Sequence, residues 1–387
     1  MKKILLFSII LLSICAKAQV SGFTFNTSGS LPAGFSQALT IAGQNWTNYL
    51  QITVPIKVNI ITVNSNLYPF SAITLTNGRQ NFTNAPVPNT LYTTSLANQI
   101  AGVELNPGEY DMDIYVNLAT PFYFGTAQPT PSKYDFISIA MHEIGHGLGF
   151  YSDGYVDGNG LGSFGNIPAS TISPLTSSFP WPGQEGVPAI FDKFIVKASN
   201  SPLTTIAPQN SLALGDSIKN GAMYFNGPVY ANASHGNAPI RLSGGAGTFG
   251  IGTDLLHIHN TYDSTIMSYF WGPGDVMRVP GPWELGILKE IGWNLKPVGV
   301  YENHNADDVV TYPNPASANV FVDAANVTEV KMYTLHGELV QSVINHSARK
   351  ELTINVENLN DGIYFLQIAF EDGKPSVMRK VVIGQMN

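Results

Sequence analysis

Apolar residues recur along this chain in changing textures. Around Phe23-Thr24-Phe25 they alternate with polar ones, then Ala38, Ile41, Ala42, Trp46 and Tyr49 fall roughly on one helical face. Residues 52–63 (ITVPIKVNIITV) and 111–118 (DMDIYVNL) return to strand texture. Pro55 interrupts the first and, lacking an N–H, sets its beginning near a sheet edge. Over 133–149 helical spacing reappears: Ile137, Ala140, Met141, Ile144 and Leu148 form one apolar stripe, and Ser132 with Asp135 fits a capping box after Pro131. Residues 282–293 (PWELGILKEIGW) predict a closing helix with Leu285, Leu288 and Ile291 on one side and Gly292 near its stop. Helix, strands and helix in this order predict an α+β domain over 19–297. Within it, 151–252 is rich in Gly, Pro, Ser and Asn, with short strand-like runs such as 189–196 (AIFDKFIV). A long loop-rich insertion of this kind shapes a cleft or forms plain surface loops.

After Trp293 the texture changes. Lys296-Pro297 and the polar stretch ending at Asp308 predict a linker over 298–308. Short β-type runs follow at 320–322, 330–334, 339–344, 352–356, 362–370 and 377–383, with turn signals at His336-Gly337 and Asp372-Gly373. They predict a small all-β sandwich over 309–387.

At the other end, Lys2 and Lys3 precede an apolar run from Ile4 to Ile14 and then Ala16-Lys17-Ala18, the layout of a signal peptide over residues 1–18. The run is too short to span a bilayer, so the mature chain is expected to be exported without a transmembrane anchor. Cys15 is the only cysteine and leaves with this leader, which removes disulfides and thiol chemistry from the mature protein. The 27 acidic residues outnumber the 19 basic ones, and no basic run exists, which excludes nucleic acid and anionic membranes as expected partners.

The candidate chemistry sits on the 133–149 helix. His142 and His146 are i, i+4 neighbours on the face opposite Ile144, about 5–6 Å apart at Cβ. Imidazoles at that spacing chelate one zinc ion. Glu143, one position along, is placed to hydrogen-bond a zinc-activated water, take its proton and pass it to a leaving amine.

The segments His142–Phe150 (HEIGHGLGF) and Ser264–Tyr269 (STIMSY) resemble the metzincin metallopeptidases. In that clan a glycine, here Gly149, ends the helix, and a third histidine follows three residues later. That position holds Ser152. The order Gly252, His257, Met267 and a closing helix is similar to the leishmanolysin-like branch, where a long insertion precedes the third ligand. The resemblance implies a secreted zinc peptidase with His142, His146 and His257 as ligands and Met267 beneath the metal. His259, His235 and Asp153 remain rivals for the third ligand. The resemblance also offers Tyr269 as an oxyanion-stabilising catalytic residue beside Glu143, with a packed core tyrosine as the alternative. Asp153, Asp157 and Asn159 present oxygens of the kind Ca2+ takes, although their spacing matches no calcium loop and a turn accounts for them better.

Tyr312-Pro313-Asn314-Pro315, Gly362-Ile363-Tyr364 and the Lys380–Ile383 end resemble the type IX secretion sorting domains of Bacteroidota, which implies the type IX machinery as a partner. The expected activity is hydrolysis of extracellular protein or peptide substrates. The rivals are a surface-binding protein on the same scaffold and a zinc amidase acting on a non-protein amide.

Overall fold

The apolar alternation and the β-branched runs pair into one sheet. In the computed structural model, which describes residues 17–20, 22–165, 167–168, 186–262, 265–269, 272–296, 309–324, 326–334, 337–345, 351–371 and 377–384, the chain divides into two units, Met1–Lys296 and Pro297–Asn387. Leader residues 1–16, Ser264, the linker, His336 and Asp372-Gly373 lie outside the described residues.

The first unit opens with β1 (Lys17–Val20), β2 (Phe23–Thr27), α1 (Phe35–Thr47), β3 (Ile56–Val63) and β4 (Ala72–Thr76). The small β5 (Gly78–Arg79) and β6 (Tyr92–Thr93) pair with each other ahead of α2 (Thr94–Ala101) and β7 (Met112–Asn117). The large sheet has the order β1-β2-β3-β7-β4. β2, β3 and β7 run parallel, whereas β4 is antiparallel to β7 and closes that end of the sheet. Pro55 does not mark an edge: β3 begins after it and lies centrally, so the proline costs no ladder bond.

The parallel pair β8 (Phe122–Tyr123) and β9 (Tyr134–Asp135) leads into α3 (Phe136–Leu148). The N-cap of α3 is Asp135, whose carboxylate accepts from the Ser138 N–H at 3.0 Å, so the capping-box reading of Ser132 was three residues early. Ile137, Ala140, Met141, Ile144 and Leu148 are all buried, as their stripe predicts. They share one cluster with Phe23, Phe25, Val58, Ile60 and Ile114 of the sheet and with Ala38, Ala42 and Trp46 of α1. Ile41 is only partly buried and Tyr49 lies past the helix end. The Trp46 indole N–H donates to the Met141 carbonyl at 2.9 Å, tying α1 to α3. A Cβ on Gly147 would stand 2.2 Å from the Met112 sulfur, so glycine lets α3 approach β7 closely.

The loop-rich insertion has structure of its own. β10 (Gly154–Val156) and β11 (Gly162–Phe164) form a hairpin, and β12 (Ile195–Lys197), β13 (Met223–Phe225) and β14 (Ile240–Leu242) form a three-stranded antiparallel sheet. The 189–196 run is split between a 3-10 turn at Phe191–Phe194 and the start of β12, rather than forming one strand. The helices α4 (Leu212–Lys219) and α5 (Ala231–Ser234) punctuate the insertion, and α6 (Pro282–Ile291) closes the unit. Leu288 and Ile291 of α6 are buried, whereas Leu285 is only partly so.

In the second unit, β15 (Val310–Tyr312), β16 (Asn319–Asp323), β17 (Val327–Thr334), β18 (Leu339–Ile344), β19 (Glu351–Asn355), β20 (Gly362–Phe370) and β21 (Val377–Ile383) form sheets of order β15-β16-β19 and β18-β17-β20-β21. Val320, Val322, Ile354, Val330, Met332, Leu366 and Ile368 fill the core between them, a sandwich built on period-two alternation.

One ion pair fixes the start of the α3 helix. The Arg278 guanidinium donates to both Asp135 oxygens and to the carbonyls of Gly125, Thr126 and Ala127. The Asp135 side chain is fully buried, so removing its partner leaves an uncompensated charge. Arg278→Met is expected to cost about 3–5 kcal/mol in denaturant unfolding. A loss below about 1 kcal/mol would show that the carboxylate is solvated another way.

Candidate metal centre

Three imidazoles meet at the open side of α3. His142 and His146 come from successive helical turns, and Gly149 ends the helix at φ 123. This left-handed backbone turns the chain so that the Phe150 carbonyl accepts from His146 Nδ1 at 2.7 Å. His257 arrives from the segment after β14. Its backbone carbonyl accepts from the Ser243 N–H, and Ile258 donates to the Met267 carbonyl, so the β14 edge and the turn at Met267 hold it from both sides.

The ring orientations are set by the nitrogens that do not meet. His142 Nδ1 bonds the Ile266 carbonyl at 2.7 Å and His257 Nδ1 bonds the Thr253 carbonyl at 2.9 Å. A carbonyl only accepts, so all three Nδ1 atoms carry protons and all three Nε2 atoms present lone pairs. Those Nε2 atoms lie 3.0 Å (His142–His146), 3.2 Å (His146–His257) and 3.2 Å (His142–His257) apart. With no proton among them, they repel one another unless a cation sits between them. Tetrahedral zinc with bonds of 2.0–2.1 Å separates its ligand atoms by about 3.3 Å, close to these distances. Burial lowers the histidine pKa values, to about 4 for His142 and, with His142 adding to the effect, to about 3 for His146. His257 is pushed well below its usual value for the same reasons. The rings are therefore neutral, the form that ligates metal.

Glu143 lies against this cluster, buried, and burial pushes its carboxyl up to about 7. Thr74 on β4 opposes that shift: its hydroxyl lies 2.7 Å from Glu143 Oε2 and 2.9 Å from the Glu143 carbonyl. This residue was missed from the sequence, because a threonine on an edge strand has no spacing relation to a helix. Gly145, between Glu143 and His146, has a packing reason: a Cβ there would stand 2.4 Å from the Met267 sulfur. Met267 is itself fully buried against α3. Glu284 of α6 was also missed; its buried Oε1 accepts from the Ile266 N–H at 2.7 Å, holding the carbonyl that orients His142. Tyr269 is not a core residue. It is 51% exposed, its ring lies 6.2 Å from that of His257, and it lines the same cleft of about 440 Å³ as the triad and Glu143.

The rival ligands are elsewhere. His259 Nδ1 accepts from the Thr261 N–H, and His235 packs edge-on against Tyr262 and Trp283. Asp153 is buried beside Asp192, which accepts from Ser152 Oγ and from the N–H groups of Asp153 and Ala189. Asp157 spends Oδ1 on the Asn159 and Leu161 N–H groups within a turn. Among the described residues, His142, His146 and His257 are the one group of three whose ligand atoms converge.

Comparison with known proteins locates one part of the chain. Residues 310–384 match the family model described as "Secretion system C-terminal sorting domain". The second unit is a type IX secretion sorting domain. The sorting domain marks the protein for export to the cell surface or beyond and brings it to the type IX machinery. No helix among the described residues is long and apolar enough to cross a membrane. None of the curated proteins matches the chain. Among solved structures, PorZ, a surface component of the type-IX secretion system of Porphyromonas gingivalis, aligns at 19% identity and TM-score 0.19 over 24% of this chain and 14% of its own. The CBM51-2 and INT domains of Clostridium perfringens ZmpB align at 19% identity and TM-score 0.16 over 19% of this chain and 17% of theirs. The chain spans under a fifth of those structures, and likenesses this slight carry no argument about the first unit.

Two outcomes follow from this geometry. His257→Ala is expected to abolish stoichiometric zinc binding, whereas His259→Ala and His235→Ala retain one zinc per chain by elemental analysis. Equal loss in His257→Ala and His259→Ala would overturn the triad. Separately, burial pushes Asp192 up to about 6, and burial reinforced by Asp192 pushes Asp153 well above the carboxylate range. Carboxyls raised in the folded state give stability that is complete below about pH 4 and lost as pH rises through the folded values. Asp153→Asn is therefore expected to unfold less readily than the parent at pH 8 relative to pH 5; an unchanged pH profile would contradict the buried pair.

Proposed function

We propose that this exported chain is a zinc-dependent endopeptidase of the metzincin type, acting on extracellular proteins. The observation that carries the reading is the convergence of three proton-free Nε2 atoms beside a buried glutamate at the floor of an open cleft. Zinc held by His142, His146 and His257 would supply Lewis acidity and a water that loses its proton near neutral pH. Glu143 would serve as the general base and acid beside those ligands, its carboxylate held by the Thr74 hydroxyl. Tyr269, which is exposed and lines the cleft, would donate to the developing oxyanion.

A peptide is favoured over another amide because β4 ends its sheet and Ala72 to Leu75 line the cleft. An extended chain can add to such an edge through main-chain hydrogen bonds, which a small non-peptide amide does not make.

Digestion of casein by the zinc-loaded full chain tests the reading. Chelation is expected to abolish cleavage and zinc to restore it. Glu143→Ala should lower kcat/KM by about 10²–10⁴ with zinc still bound, and Tyr269→Phe should lower kcat by about a hundredfold. Undiminished cleavage by Glu143→Ala would overturn the mechanism, and a zinc-loaded wild type that cleaves no protein would leave the binding-protein or non-peptide amidase reading in its place.

A further inference from the structure

The cleft continues beyond the metal-binding cluster. Pro69, Phe70, Ser71 and Tyr134 line both the main cleft and a second cavity of about 280 Å³, walled further by Asn66, Tyr68 and Thr120. The loop that frames it is held in place. The buried Asn117 accepts from the Ser65 N–H at 3.1 Å and donates to the carbonyls of Ser65 at 2.9 Å and Phe70 at 3.3 Å. The Tyr68 and Phe70 rings stack at 5.3 Å, stiffening it further.

The chemistry of this cavity differs from that of the metal centre. Among the described residues, no lysine, arginine, histidine, aspartate or glutamate lines it. The Asn66 amide and the hydroxyls of Tyr68, Ser71, Thr120 and Tyr134 make no side-chain hydrogen bonds within the described residues. The walls of this open cavity thus offer neutral donors and acceptors and no counter-charge, so a neutral polar side chain finds hydrogen-bond partners there whereas a charged one finds no ion-pair partner.

Its position follows from the strand. Thr74 touches Glu143, and Ser71 lies three residues earlier, about 10 Å away at the rise of a strand. A polypeptide extended along β4 with its reacting bond beside Glu143 puts a residue three or four positions away into the cavity.

We propose that the second cavity is a substrate subsite that takes a Ser, Thr, Asn or Gln side chain three or four residues from the scissile bond. The proposal rests on the peptidase reading and names its substrate class: extended polypeptide with a neutral polar residue at that distance. The test is a position-scanned peptide library on the zinc-loaded full chain, with cut sites read by mass spectrometry. At one position three or four residues from the cut, Gln, Asn, Ser or Thr should exceed Lys and Glu in kcat/KM by about fivefold. Asn66→Asp, isosteric and exposed, should reverse the order in favour of Lys by a similar factor. A flat profile at both positions, or an Asn66→Asp profile identical to wild type, overturns the subsite. Fluorescence anisotropy of the same peptides on zinc-loaded Glu143→Ala separates the two claims. Binding with this profile but no cleavage by wild type sinks the peptidase reading and leaves the subsite; cleavage with a flat profile does the reverse. Neither binding nor cleavage overturns both.

Discussion

Three lone pairs pointing at one another in a buried site impose the constraint on which the first unit depends. Imidazole nitrogens 3.0–3.2 Å apart, none carrying a proton, repel unless something positive is shared among them. The fold holds them there with groups that have no other evident task. The carbonyls of Ile266, Phe150 and Thr253 each fix one ring by its far nitrogen. Behind those carbonyls stand Gly149, whose left-handed backbone aims Phe150, and Glu284, whose carboxylate anchors Ile266. Arg278 and Asp135 then fix the start of the helix that carries two of the rings.

The same architecture separates what the site holds from what it presents. α3 faces the core with Ile137, Ala140, Met141, Ile144 and Leu148, and its remaining face forms the floor of a cleft bounded by the last strand of the sheet. A single hydroxyl, Thr74, joins strand to helix at Glu143, so the element that borders the cleft also touches the residue proposed to move the proton. Met267 fits under the cluster because residue 145 has no side chain. Pocket, cluster and helix packing are therefore one arrangement.

Much of this was legible in the sequence, for reasons of periodicity. Helical spacing placed His142 and His146 on one face and the apolar stripe on the other, and period-two alternation announced the strands of the second unit, except Val310–Tyr312. His257, reached through resemblance, is brought to the helix histidines by β14 and the turn at Met267. Other features were hidden because they depend on long-range contacts. Nothing local to Thr74 or Glu284 points to the helix they serve, and Pro55 reads as an edge signal although β3 simply starts after it. The insertion was unreadable because its strands are three residues long, shorter than a periodicity can register.

The central claim is that His142, His146 and His257 together hold one zinc ion with room for a reacting water. X-ray absorption at the zinc edge of the zinc-loaded full chain tests it most directly. The account predicts three imidazole nitrogens at about 2.0–2.1 Å and one exchangeable oxygen that an added hydroxamate replaces. A shell made of oxygens alone, or four protein ligands that leave no exchangeable position, would contradict it.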